Sequence, residues 1–250
     1  MSISAAQIKA VKALSSKKGR DESGLFVVEG EKLVSEALAS DFEVVQLWRR
    51  DEIGEAAMAR ISQLSTPSPV LALVRIPSGD GGFVMDGKLN PGGGLYLALD
   101  SIRDPGNLGT ILRIADWFGI KGIAASSDTV DLYSPKVVQA TMGAIFRVPF
   151  AYVSLPDFCI AAKNAGGTVY GTFLDGDNIY TMTLQTGESH PAVIVIGNEA
   201  HGISKEVAAH CDAAIRIPSW PGDVPTSESL NAAIATAVTA AEFRRRLNEK

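Results

Sequence analysis

Residues 97–120, LALDSIRDPGNLGTILRIADWFGI, decide the fold. An apolar run ends on Asp100, a Pro-Gly turn follows, and a helical pattern begins near Leu108. That is a strand–turn–helix unit. Leu108, Ile111, Leu112, Ala115 and Phe118 recur at helical spacing and form the expected buried stripe. A dinucleotide-binding turn would carry G-x-G-x-x-G here. The turn reads D-P-G-N-L-G instead, which disfavours a nicotinamide-dependent oxidoreductase. Arg113 lies off the stripe, one turn after Gly109. Helical side chains lean toward the N-terminus, so Arg113 is expected to reach across Gly109 toward Asn107. A guanidinium and a carboxamide would then meet at a helix end that already favours anions. The plainer alternative is an N-cap asparagine and an exposed arginine.

The same alternation extends in both directions. Beyond Leu95, strands are expected at LYLALD, GIAAS, FRVPFAY, TVYGTFL, AVIVIG and AAIRIP. Helices are expected at NLGTILRIADWFG, SPKVVQATMGAI, LPDFCIAAKNAG, SKEVAAHC and SESLNAAIATAVTAAEFRRRL. Continuous apolar strands such as AVIVIG belong to a parallel sheet covered on both faces. Upstream, shorter elements (SAAQIKAVKALSS, GLFVVEG, EKLVSEALAS, FEVVQLWRR, EIGEAAMARISQL, TPSPVLALVRIP) predict a small α/β unit ending near Pro77. Between them, residues 78–94 hold seven glycines, too many to order in a helix or central strand. The expected organisation is a domain over 1–77, a Gly-rich linker over 78–94 with one short strand inside it, and a parallel-sheet α/β domain over 95–250.

Composition narrows the function. The chain has 250 residues, 46% of them hydrophobic and 20% charged, which fits an ordinary folded protein with one large or two small domains. Cys159 and Cys211 are too few for a disulfide framework and have no C-x-x-C spacing, so buried reduced thiols and a cytoplasmic location are expected. MSISAAQIKAVKAL lacks the apolar core of a signal peptide. The Ala232–Ala241 run is too short and too rich in Thr to span a bilayer. His190, His201 and His210 lack metal-ligand spacing, so no metal is expected. The net charge of −5 argues against bulk coating of nucleic acid. Yet Lys9, Lys12, Lys17, Lys18 and Arg20 fall within the first twenty residues with no acidic residue among them, and Arg244, Arg245 and Arg246 cluster near the other end. Such an arm can contact phosphates in an acidic protein. On charge alone a solvated helix face is the favoured alternative.

Two further loops follow expected strands, where open α/β sheets bind ligands. VIVIGNEAHGIS holds Gly197, Glu199 and Gly202, glycines that permit backbone to approach a flat ligand. IRIPSWPGDVPTSESLNAAIATAV is a strand, a long Pro/Gly loop and a helix opening near Ser229-Leu230-Asn231.

Taken together, the three segments resemble the SpoU (TrmH-type) RNA ribose 2′-O-methyltransferases of the SPOUT superfamily. DPGNLGTILRIADWFG resembles the motif N-x-G-x-x-x-R, VIVIGNEAHGIS resembles G-x-E-x-x-G, and IRIPSWPGDVPTSESLNAAIA resembles I-P followed by S-L-N. GLFVVEGEKLVSEAL is similar to the family's N-terminal substrate-binding domain. The third loop departs from the usual form, with Trp220 and prolines inserted and Ala-Ala after Asn231, and these changes bear on substrate choice. The resemblance implies S-adenosylmethionine as cofactor, held in a C-terminal trefoil knot by backbone at Ile196, Gly197, Ile217 and Leu230. It implies that Asn107, Arg113, Glu199, Ser229 and Asn231 surround the reacting ribose of a ribosomal or transfer RNA. It also implies a homodimer with composite sites. Lys9, Lys12, Lys17, Lys18 and Arg20 are the expected RNA contacts of the first domain. A non-catalytic RNA-binding protein that keeps the fold is the alternative.

Overall fold

The structure, a computed structural model, describes residues 3–78, 82, 84–85, 88–89, 91–185, 190–221 and 229–247. The chain begins with α1 (Ala5–Ala13), α2 (Lys17–Ser23), β1 (Leu25–Glu29), α3 (Glu31–Leu38), β2 (Val44–Arg49), α4 (Arg50–Ile53), α5 (Glu55–Ile61) and β3 (Val70–Arg75). Two short strands follow, β4 (Val84–Met85) and β5 (Lys88–Leu89). The next elements are β6 (Gly94–Leu99), α6 (Pro105–Trp117), β7 (Gly122–Ala125), α7 (Pro135–Thr141), a 3-10 turn (Ala144–Phe146) and β8 (Phe150–Tyr152). The last are α8 (Leu155–Asn164), β9 (Thr168–Asn178), β10 (Pro191–Ile196), α9 (Lys205–Ala208), β11 (Ala213–Arg216) and α10 (Ala232–Leu247).

These elements form two compact units. The first comprises residues 1–78 together with 131–147, and the second comprises 79–130 and 148–250. In the first, β3 lies between β1 and β2 and is antiparallel to both. Its sequence VLALV is buried throughout. α1 starts with a capping box, Ser4 and Gln7 each closing the other's backbone N–H. It buries Ile8 and Val11, which pack with Leu14, Trp48 and Met58. Residues 131–147 complete this unit from far along the chain. Tyr133 packs on Phe26 with ring centroids 4.9 Å apart. Gln139 Nε2 donates to the Glu29 carbonyl at 2.7 Å, satisfying an acceptor at the end of edge strand β1. Sequence alternation assigned this segment to the C-terminal domain, because periodicity reports an element's type and not its tertiary partner.

The second unit is a six-stranded, wholly parallel sheet of order β11-β9-β10-β6-β7-β8. β10 and β6, at its centre, are almost entirely buried, as continuous apolar strands require. Tyr96, Ala98, Val193 and Val195 face α8 and α9, packing with Leu155, Phe158, Cys159 and Val207. α10 packs on α6 and β10. β4 and β5 pair within the Gly-rich stretch, where residues 79–81, 83, 86–87 and 90 lie outside the described residues, as do 222–228 of the third loop. From β6 the chain moves through β7 to β8 on one side, whereas β9, β10 and β11 fill the other. The switch point therefore falls between β6 and β10, whose last residues, Leu99 and Ile196, are paired. Open parallel sheets bind their ligands at such a point.

Candidate active site

The helix at this switch point begins earlier than its apolar stripe. Asp104 is the N-cap of α6, its side chain accepting from the Asn107 backbone N–H at 2.8 Å, and Pro105 occupies the first helical position. Asn107 is thus not the cap, and its carboxamide is free for other work. Its Nδ2 donates to Glu199 Oε1, and its Oδ1 accepts from Asn231 Nδ2 at 2.8 Å. The amide's orientation follows from its neighbours. A carboxylate only accepts, so the NH2 edge must face Glu199. Asn231 spends its own Oδ1 on the backbone N–H groups of Ala233 (3.0 Å) and Ile234 (3.3 Å) at the start of α10, leaving its NH2 for Asn107. One network joins the three motif segments.

The loop that carries Glu199 is held on both sides. Asn198 exchanges backbone hydrogen bonds with Gly202 at 3.0 and 2.8 Å. Its Oδ1 accepts from Ala200 N (2.9 Å) and His201 N (3.2 Å), while its Nδ2 donates to the Ser101 carbonyl at 2.8 Å. Asp100, buried at the end of β6, accepts from the Ser204 N–H at 2.7 Å. Ser101 adopts a left-handed φ of 60°, uncommon for a residue other than glycine and characteristic of functional turns. Its hydroxyl donates to Asp128 at 2.5 Å, and the Ser126 hydroxyl donates to the same carboxylate at 2.7 Å. Those two hydroxyls, Ser101 first, hold the Asp128 carboxyl below the usual carboxylate range.

Of the expected site residues, Asn107, Glu199 and Asn231 come together. Ser229 is exposed and makes no hydrogen bond to another described residue. Arg113 is also exposed and makes no hydrogen bond or ion pair among the described residues, Asn107 included. Six residues along a helix amount to 600°, leaving the two side chains about a third of a turn apart and ~9 Å offset along the axis. Gly197 is needed for a different reason than ligand approach, since a Cβ there would lie 2.3–2.6 Å from the backbone of Gly202 and Ile203. The loop folds onto its own glycine.

The cofactor contacts implied by the motifs can be tested against free backbone. Gly197, Ile217 and Leu230 have no backbone hydrogen bond to another described residue, as contact with an adenosyl group would require. The Ile196 carbonyl already accepts from Asp100 N at 2.9 Å. The residues present fit such a group at three of the four positions.

Among the basic residues, Lys9, Lys12, Lys17 and Lys18 are exposed, the last two within ion-pair distance of Asp21 (2.9 Å) and Glu22 (3.8 Å). Arg20 is not an RNA contact. It is 3% exposed, bound to Asp131 at 2.5 Å and to the Leu14 carbonyl at 2.7 Å. The C-terminal arginines are likewise structural: Arg244 caps the Phe118 and Gly119 carbonyls at 2.6 Å each, beyond the end of α6, and Arg245 and Arg246 bind Glu242. The described residues contain no group of three His, Cys, Asp or Glu able to hold a metal ion. Sequence reasoning missed Asp104, Asn198 and Asp100. Asp104 before Pro105 is a legible cap signal; the other two act through tertiary contacts that leave no periodic trace.

A wholly parallel α/β sheet with a polar cluster at its switch point is a domain class that binds ligands beyond its strand ends. Within that class the chain belongs to the SpoU rRNA Methylase family, whose model matches residues 94–241. Residues 5–63 match an MRM3-like substrate binding domain. The chain is 28% identical to the 23S rRNA (guanosine(2553)-2'-O)-methyltransferase RlmP of Bacillus subtilis, over 95% of this chain and 96% of that one. It is similar to the structure of a putative RNA methyltransferase of the TrmH family from Porphyromonas gingivalis (38% identity, TM-score 0.85, 98% of this chain and 100% of that one). It also resembles an AdoMet-bound rRNA methyltransferase from Sinorhizobium meliloti (33% identity, TM-score 0.85, 99% and 97%).

Proposed function

We propose that the chain transfers a methyl group from S-adenosylmethionine to a ribose 2′-hydroxyl of ribosomal or transfer RNA. The observation that carries this reading is the Asn107–Glu199–Asn231 network at the switch point. A carboxylate oriented at a ligand-binding point suits catalysis better than RNA binding alone. The similarity to rRNA methyltransferases along nearly the whole chain favours ribosomal RNA. Backbone at Gly197, Ile217 and Leu230, with Ile196 beside them, would hold S-adenosylmethionine, which would supply an already activated methyl. What remains for the protein is positioning and charge control. Glu199 has one carboxylate oxygen engaged by Asn107, and its second oxygen accepts the hydrogen of the attacking hydroxyl. Asn231 orients Asn107, and Asn107 orients Glu199. Ser229 adds a hydroxyl that can donate or accept. A guanidinium stays protonated in proteins, so Arg113 clamps the RNA phosphate or the developing oxyanion and does not act as a base.

In this reading the protein is a homodimer, and Arg113 serves the partner's site, consistent with its separation from Asn107. Trp117 on α6 and Ile234 on α10 are 85% and 53% exposed, apolar surface suited to such an interface. The resemblance that implies a knot places it in the C-terminal segment, around the cofactor loops. Free thiols at Cys159 and Cys211 accord with the cytoplasm. No helix among the described residues is long and apolar enough to cross a membrane. Incubating purified protein with labelled S-adenosylmethionine and total RNA from a deletion strain should give alkali-resistant labelled dinucleotides. Label confined to bases would refute ribose chemistry.

A further inference from the structure

The chain segments that carry Asn107 and Glu199 also form a cleft, lined by Asp100, Ser101, Arg103, Asn198, His201 and Ser204 among others. It is contiguous with the network in both chain segments. Arg103 immediately precedes the N-cap Asp104, and Asn198 and His201 flank Glu199 in its loop. Most hydrogen-bonding groups of its floor are committed; the exception is Asp100 Oδ1, which the Ser101 hydroxyl meets only at 3.5 Å. Asp100 Oδ2 holds Ser204 N, Asn198 Oδ1 holds two backbone N–H groups, and Asn198 Nδ2 holds the Ser101 carbonyl. The Ser101 hydroxyl is given to Asp128. Gly202 in the wall uses both backbone groups on Asn198.

At the mouth, the unspent groups are donors. Arg103 is exposed and meets Asp128 at 3.6 Å, an ion pair too long for a hydrogen bond and weak at such exposure. Most of its five N–H groups stay available. The exposed His201 imidazole makes no hydrogen bond among the described residues. The spare donors lie on the two exposed residues, so an acceptor-only group suits the mouth of the cleft. A nucleobase edge presents both donors and acceptors, whereas a phosphodiester presents acceptors alone.

We propose that this cleft is a subsite for an RNA phosphodiester next to the methylated ribose, with Arg103 and His201 as its donors. The assignment rests on the methyltransferase reading. Held there, the backbone sets the register of the strand, so that one ribose and not its neighbour faces Glu199.

The test is the salt dependence of binding to a fluorescein-labelled, mixed-sequence single-stranded RNA. Replacing Arg103 with glutamine (Arg103→Gln) should weaken RNA binding and flatten the slope of log affinity against log salt. The slope should fall by about 0.7 for each phosphate of a single strand that the protein no longer neutralises. Arg103→Lys should restore the slope, and His201→Ala should weaken binding further in the Arg103→Gln background. Calorimetric affinity for S-adenosylmethionine should be unchanged in all three, a pattern that a general structural defect would not produce. An unaltered slope in Arg103→Gln overturns the subsite. So does a drop in cofactor affinity with RNA binding intact, because the anion recognised would then be the cofactor's carboxylate. Failure of the parent reading looks different, since wild-type protein would then bind RNA yet transfer no labelled methyl to ribose.

Discussion

Asn107 is the joint through which three distant segments act on one another, and its two amide edges are not interchangeable. Asn107→Asp keeps the shape but removes the donor that faces Glu199, setting two carboxylates against each other where one hydrogen bond stood. One of them must then take up a proton or turn away. Turnover should fall by a hundredfold or more, on the scale of losing one oriented polar group in an active site. Affinity for S-adenosylmethionine, measured by calorimetry, should remain near wild type, because Asn107 is not among its expected contacts. A proportional loss of both would mean that the substitution had collapsed the loop. Arg20 teaches the opposite lesson about charge. It sits among exposed lysines in sequence but is buried against Asp131. Arg20→Ala should destabilise the first unit by roughly 3–5 kcal/mol in urea unfolding, the usual cost of stranding one member of a buried pair. RNA affinity of the folded fraction should barely change.

At the scale of elements, α10 does more than pack. Asn231 starts it, Arg244 caps the chain beyond α6, and Glu242 gathers two arginines around a buried carboxylate. Hydrogen bonding to Arg245, and next to Arg246, holds the Glu242 carboxyl down at about 2, against an ordinary value of 4.5. A depressed folded-state value means that the contribution to stability is fully present above 4.5 and is lost as pH falls toward 2. Urea midpoints across that window should therefore drop more steeply for wild type than for Glu242→Gln, with the two curves converging near the acid end. Parallel curves would show that the arginines stabilise through packing alone. The strands and long helices of the second unit were legible because their apolar residues recur at fixed periods, as AVIVIG and the α6 stripe show. Others were not. FRVPFAY shortens to Phe150–Tyr152 because Phe146 closes a 3-10 turn. Lys17–Ser23 forms a helix of its own, capped by Ser16 and ended by Gly24 at a φ of 66°; its sequence KKGRDES has no apolar residue to mark a period. At the candidate site, motif order revealed Asn107, Glu199 and Asn231. No pattern could show Asp100 or Asn198, whose partners depend on the pairing of β6 with β10.

For the whole molecule, the division of the chain changes which experiments are informative. Cutting at residue 77 would leave residues 131–147 without β1 and Phe26, so the deletion would test folding before RNA binding. Neutralising Lys9 and Lys12 to glutamine leaves that core intact and is the cleaner probe of the basic face. The composite-site reading can be examined in a similarly conservative way. A substitution at Gly197 would not serve as one of the two lesions, because any side chain there strikes the loop's own backbone. Glu199→Gln is preferable, since it removes the carboxylate with little change of shape. Arg113→Ala and Glu199→Gln should each be inactive as homodimers while still binding S-adenosylmethionine. If Arg113 serves its partner's site, a mixed dimer contains one site with an intact Glu199 from one subunit and an intact Arg113 from the other. Its second site lacks both. Random exchange makes about half the dimers mixed, each with one of two sites restored, so about a quarter of wild-type activity should return. Inactive dimers of verified mixed composition would place Arg113 in its own subunit's site. Its separation from Asn107 along α6 would then have to be bridged by the RNA itself.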